Sequence, residues 1–161
     1  MSQEFSPAPE VAEVARDLIH GHHSHLGPVR IEYVFLSEPI SERGKDVWGR
    51  ARKVTGLNAY LALDAKPKEP KEPQGFFVIE IVKRVWMQLD EKSKRALIDH
   101  ELTHLWVNDD GSLSIRPHDL EEFNDIVRRY GLWRADIELF LEASKQRPLF
   151  ANSERAREAG A

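Results

Sequence analysis

The sequence predicts a segregated α+β domain. Three observations carry that prediction: a helical apolar period near the N-terminus, three short strand-like runs before residue 84, and a helical period from there onward. At 161 residues the chain suits a single domain that buries roughly two-thirds of its unfolded surface.

Residues 1–8 predict a loose lead-in. From Pro9 to about His20, Val11, Val14, Ala15, Leu18 and Ile19 recur at helical spacing, and GHHSHLGP then ends that helix. Residues 29–36, VRIEYVFL, alternate with Val29, Ile31, Tyr33 and Phe35 on one face and predict a strand. SERGKDVWGRARKVTG predicts a loop, and Leu57–Leu63 (LNAYLAL) a second strand. The proline-rich residues 64–75 predict an extended, solvated loop. FFVIEIV at 76–82 is nearly all apolar and predicts a third strand buried on both faces.

Asp90 is a suitable N-cap for a helix running through EKSKRALIDHELTHLWVN to about Asn108, which NDDGS ends. Asp119 and Glu122 have capping-box spacing for a second helix stopping at Gly131, and a third covers about Trp133–Lys145. The stripes Leu120, Phe123, Ile126, Val127, Tyr130 and Trp133, Ile137, Phe140, Leu141 are expected in the core. Residues from about 148 to 161 are expected to be loose.

The formal charge of −4 gives no global attraction to nucleic acid or to anionic membranes. The chain has no cysteine, so disulfides and thiolate ligands are excluded and any transition metal must be held by His and carboxylate. The N-terminus lacks the basic start and apolar core of a signal peptide, and no apolar run reaches the roughly 18 residues of a membrane span. The expectation is a soluble, cytoplasmic protein.

Within the long helix, HELTH at 100–104 matches H-E-x-x-H. On a helix, His100 and His104 stand about 40° apart and roughly 6 Å along the axis, so both imidazoles reach one ion. Glu101 lies on the side of His104, where its carboxylate reaches a water that the metal has acidified. An open catalytic zinc takes three protein ligands. His118, in RPHDLEEF, is the best third, with Glu121 or Glu122 as the competing ligand. Asp119 either orients His118 or caps its own helix.

ALIDHELTHLW, followed by RPHDLEEF and YGLW, resembles the zinc metallopeptidases found in phage and prophage genomes. The resemblance extends upstream through LNAYLAL, FFVIEI and VWMQLD and covers nearly all of residues 29–143. Its wider relatives are zinc proteases of the zincin type, including, distantly, the SprT-like group. The resemblance implies a zincin-like fold, with a small sheet of three or slightly more strands, an N-terminal helix and C-terminal helices carrying the site. It also implies Zn²⁺ on His100, His104 and His118, Glu101 as general base, and a protein or peptide substrate in a bacterial host cell. A zincin cleft further implies an edge strand that pairs with an extended peptide. SprT-like proteins usually have glycine after the third histidine, whereas Asp119 stands here, so their substrate habits do not transfer. Two alternatives accompany this reading: a non-catalytic phage-associated binding or structural protein on the same scaffold, and a SprT-like protease acting on DNA-bound proteins.

Tyr33 and Tyr60 are candidate oxyanion donors without a spacing argument. His20, His22, His23 and His25 are expected in a solvated loop rather than at a second metal. KDVWGRARK (45–53) is expected to be a polar connection with Trp48 on the core, in preference to a nucleic-acid contact. KPKEPKEP is expected to be a stiff spacer.

Overall fold

The computed structural model describes residues 2–42, 44–62 and 75–146. The expected loop at 64–75 falls outside them except for Gly75, and the expected loose tail from about 148 falls wholly outside. The chain divides into two compact units, Met1–Pro117 and His118–Ala161.

The first unit runs β1 (Phe5–Pro7), α1 (Pro9–His22), a 3₁₀ turn (Ser24–Leu26), β2 (Ile31–Leu36), β3 (Ile40–Glu42), β4 (Lys45–Val47), β5 (Gly49–Thr55) and α2 (Gly56–Ala62). It continues with β6 (Gly75–Val82), α3 (Lys83–Trp86), α4 (Glu91–Thr103), β7 (Leu105–Val107) and β8 (Leu113–Ile115). The main sheet has the order β1-β2-β6-β5, with β2 and β6 parallel and the two terminal strands antiparallel to their neighbours. β3 with β4, and β7 with β8, form two small antiparallel ribbons. The α+β class is therefore as predicted.

One apolar cluster holds this unit together. Val11, Ala15 and Leu18 of α1 and Ile98 and Leu102 of α4 meet Phe77, Ile79 and Ile81 of β6. Along β6 seven of eight positions are buried, in keeping with the burial on both faces that its apolar run predicted. Asp90 caps α4 as predicted, accepting from the Ser93 N–H at 2.7 Å.

Several boundaries differ from the sequence expectations. The lead-in contains β1, which pairs with β2 from Phe5↔Leu36 to Pro7↔Val34. Loop and strand exchange places between 45 and 62: RARKVT lies in β5, and LNAYLA lies in α2. β5 lacks an apolar alternation because Arg50 and Arg52 occupy one face, where they pair with the buried Glu80 of β6. LNAYLA is rich in Ala and Leu, and its short apolar run fits either period; only Ala59 of α2 is buried. α4 stops at Thr103. Beyond it Leu105 is buried, Trp106 exposed and Val107 intermediate, the alternation of a strand, and β7 turns through Gly111 (φ 80°) into β8.

The second unit contains α5 (Asn124–Tyr130) and α6 (Ala135–Lys145). α5 begins at Asn124 with no side-chain cap, so the Asp119–Glu122 capping box does not form. Gly131 ends it at φ 66°. The predicted core stripes are overturned: Ile137 is buried, but Phe123 is 78% exposed and Tyr130 68% exposed, with Trp133 and Phe140 exposed as well. Helices of 7 and 11 residues offer too little surface to enclose both stripes.

Candidate metal centre

The last turn of α4 builds the site. Ile98 and Leu102 anchor one side of the helix in the core, which turns His100 and His104 to its outer margin. His104 follows Thr103 as the C-cap with φ −69° and ψ −21°, so the i, i+4 relation of the two histidines survives the helix end. Their Nε2 atoms are 3.3 Å apart. Two ligands on a tetrahedral zinc, each bonded at roughly 2.0–2.1 Å, would be separated by about 3.3–3.4 Å.

The β7–β8 ribbon fixes the second ring. It returns the chain to His104, where the Arg116 N–H donates to the His104 carbonyl at 2.7 Å. The His104 Nδ1–H in turn donates to the Arg116 carbonyl at 2.6 Å. A carbonyl only accepts, so Nδ1 carries a proton, and Nε2, which faces His100, is the nitrogen that would bind an ion. His118 follows two residues after this anchor. His100, His104 and His118 each offer a ring nitrogen, all within 4.8 Å of one another. Three imidazoles, that of His104 oriented through Nδ1, are a donor set that fits zinc. No other group of three or more His, Asp or Glu among the described residues has this geometry, and the group includes neither Glu121 nor Glu122. Glu122 instead accepts from the Phe123 N–H at 2.8 Å.

Glu101 is 4% exposed, held between α4 and β5. Burial pushes its carboxyl from the ordinary 4.5 up to about 7; the Ala51 N–H, which donates to it, opposes the rise, and the charge of Glu42 adds to it. Gly49 makes this approach possible. A Cβ there would lie 2.8 Å from Ile81 Cδ1 and 3.0 Å from Glu101 Oε1. On β5 the Trp48 carbonyl accepts from the Val82 N–H at 3.0 Å, which in this antiparallel register turns the backbone groups of Gly49, Ala51 and Lys53 away from β6.

The expectation for Trp48 is corrected. Trp48 is not on the core but 51% exposed, beside Gly49 at the rim of a cavity that His100 and Glu101 also line. Arg50 and Arg52 are bound by Glu80, and Lys53 donates to the Leu113 carbonyl, so these basic side chains are engaged within the protein. Tyr33 lies on β2, where burial foremost, with the charge of Glu32 adding and that of Arg16 opposing, pushes its phenol up to about 12. Tyr60 lies on α2, and neither tyrosine lines the cavity at Glu101.

Sequence reasoning also missed His23. It is buried, and its ring nitrogen Nε2 lies 2.6 Å from Asp99, the residue before His100. His25 stacks at a tilt on Trp106 with ring centroids 5.4 Å apart. The histidine cluster thus ties the exit of α1 to α4 and β7. No periodic signal distinguishes His23 from its exposed neighbours His20 and His22. For Gly49, the signal was a glycine between Trp48 and a basic run, which by itself points equally to a turn.

Among the described residues no helix is long and apolar enough to cross a membrane. Residues 3–144 match the family described as "Putative phage metallopeptidase". No curated protein and no solved structure matches the chain.

Proposed function

The chain belongs to the phage metallopeptidase family, and from that premise we propose that it is a zinc-dependent peptidase in which His100, His104 and His118 hold the ion and Glu101 is the general base. The observation that carries this reading is the 3.3 Å separation of two Nε2 atoms, one of them on a ring whose Nδ1–H is held by the Arg116 carbonyl, next to a buried carboxyl group. When bound, the ion would supply Lewis acidity, making water a stronger acid and polarising the scissile carbonyl. Glu101 takes the proton of the attacking water onto its carboxylate and returns it to the leaving amine. Its burial suits that exchange, because a carboxyl that ionises near neutral pH both accepts and donates there. The Ala51 N–H holds the carboxylate in place, and Gly49 leaves it room.

The substrate would be an extended peptide. β5 is a terminal strand of the sheet and pairs with β6 alone among the described strands. Its outward groups at Gly49 and Lys53 flank the carboxylate docked on Ala51, in the mode of strand addition to a sheet edge. The neutralised arginines of β5 favour this reading over a nucleic-acid-directed protease.

Glu101→Gln separates ligation from catalysis. The expected outcome is one zinc per chain in both proteins and a loss of about 10²–10⁴-fold in peptide hydrolysis in the variant. His118→Ala should weaken zinc binding beyond the roughly 10–100-fold that loss of an outer hydrogen-bond partner costs. Unchanged hydrolysis in Glu101→Gln removes the base assignment, and unchanged zinc affinity in His118→Ala removes the third ligand.

A further inference from the structure

We infer that the cavity beside Glu101 receives a large apolar side chain of the substrate, so that the site selects an aromatic or long aliphatic residue next to the scissile bond. The inference rests on the peptidase reading above and adds the substrate class to it.

The cavity measures about 420 Å³, within the range of roughly 300–1,000 Å³ typical of small-ligand sites. Val47 and Trp48 form one wall, and Ala96 and Leu97 of α4 form the other. His100 and Glu101 line it as well, so it adjoins the candidate centre and an occupant would lie beside the proposed reaction site. No lysine, arginine or aspartate lines it. Its one carboxylate is Glu101, which the peptidase reading assigns to the attacking water: a basic side chain would tie up that group and an acidic one would meet its charge, whereas an apolar one would be covered on two sides.

Trp48 is the second observation. Its ring is half in water, although its backbone is fixed to β6 through the Val82 N–H. Trp48 directly precedes β5, whose outward groups face the path of the peptide. A side chain entering from that path slides between the indole and the Ala96–Leu97 ridge, an arrangement that favours an aromatic partner. The indole is thus the specificity wall of the site.

The full-length protein is tested in two arms. In the first, a peptide library is digested and the residues flanking each cleaved bond are read. Phe, Tyr, Trp or Leu should be enriched about 10- to 100-fold over Asp, Glu and Lys at one flanking position. Ala96→Trp, placed on an exposed helical position, fills the cavity and should abolish that preference. Trp48→Ser removes the wall and should do the same if the first variant misfolds. The second arm needs no turnover: amide chemical shifts of Ala96 and Leu97 are followed on adding capped phenylalanine amide, then capped lysine and glutamate amides. Only the first should move them, and not in Ala96→Trp.

Cleavage without apolar preference, or equal shifts from the charged amides, overturns the inference and leaves the peptidase reading standing. Selective shifts without any cleavage refute the peptidase reading and leave the cavity's selectivity standing. Concentration-dependent association that Ala96→Trp abolishes makes the cavity a contact between copies and also overturns the inference.

Discussion

Glu101 places an ionisable group where folding alone disfavours its charge, and that makes stability depend on pH. Its carboxyl is pushed from 4.5 to about 7, chiefly by burial. Between those values the folded chain binds a proton that the unfolded chain has released. The contribution is therefore fully present below about pH 4.5 and is lost as pH rises through 7. The interval corresponds to about 3 kcal/mol. Glu101→Gln keeps the shape of the side chain and cannot ionise, so its stability lacks this pH dependence. The assay is urea denaturation of both proteins between pH 4.5 and 8 with a chelator present. The expected result is a stability difference that grows to about 3 kcal/mol in favour of the variant by pH 8, a midpoint shift of roughly 1–3 M urea. Zinc should flatten the difference, since a cation beside a carboxylate favours its charged form. A difference that stays within about 0.5 kcal/mol across the range would refute the claim that burial sets the ionisation of Glu101.

Three further substitutions test the framework around the site. Gly49→Ala inserts a methyl group against Ile81 and Glu101; the expected cost is about 1–3 kcal/mol in denaturation and about 10²-fold in turnover from displacement of the base, and wild-type rates would show that the close approach is unimportant. Glu80→Gln removes the buried charge that pairs Arg50 and Arg52; because both arginines keep some access to water, the loss should be about 1–3 kcal/mol by urea titration, and a change under about 0.5 kcal/mol would remove the pairing from the stability of β5. His23→Ala breaks the tie from α1 to Asp99 and should cost a similar amount, with hydrogen exchange in the last turn of α1 rising in step; unchanged exchange there would place the effect elsewhere.

The centre was far more legible than the sheet, and the reason is the range over which each is encoded. The relation of His100, Glu101 and His104 follows from helical geometry over five residues, and the structure keeps it even though α4 ends four or five residues earlier than predicted. His118, which the structure brings within 4.8 Å of His100 and His104, was reachable because an open zinc takes three protein ligands, not through periodicity. β5, by contrast, is specified by partners far along the chain. Arg50 and Arg52 read as solvated until Glu80, 30 and 28 residues away, supplies the charge that lets them cover a strand face. Glu80 itself reads as an interruption in an apolar run.

The same distinction separates Glu101 from what tunes it. Glu101 is named by its place between two histidines, but nothing local reveals that it is buried, because the residues enclosing it come from β5. Gly49 contributes the absence of a side chain and Ala51 only a backbone N–H, features with no signature in composition or period. On the proposed reading the motif determines which atoms take part, while the fold determines their ionisation and access. Trp48 follows the same logic. Amphipathic bookkeeping assigned it to the core as a large aromatic in a polar run. In the fold it stands half in water beside Glu101, because the strand that follows it turns its backbone to β6 and leaves the indole at the rim of the cavity.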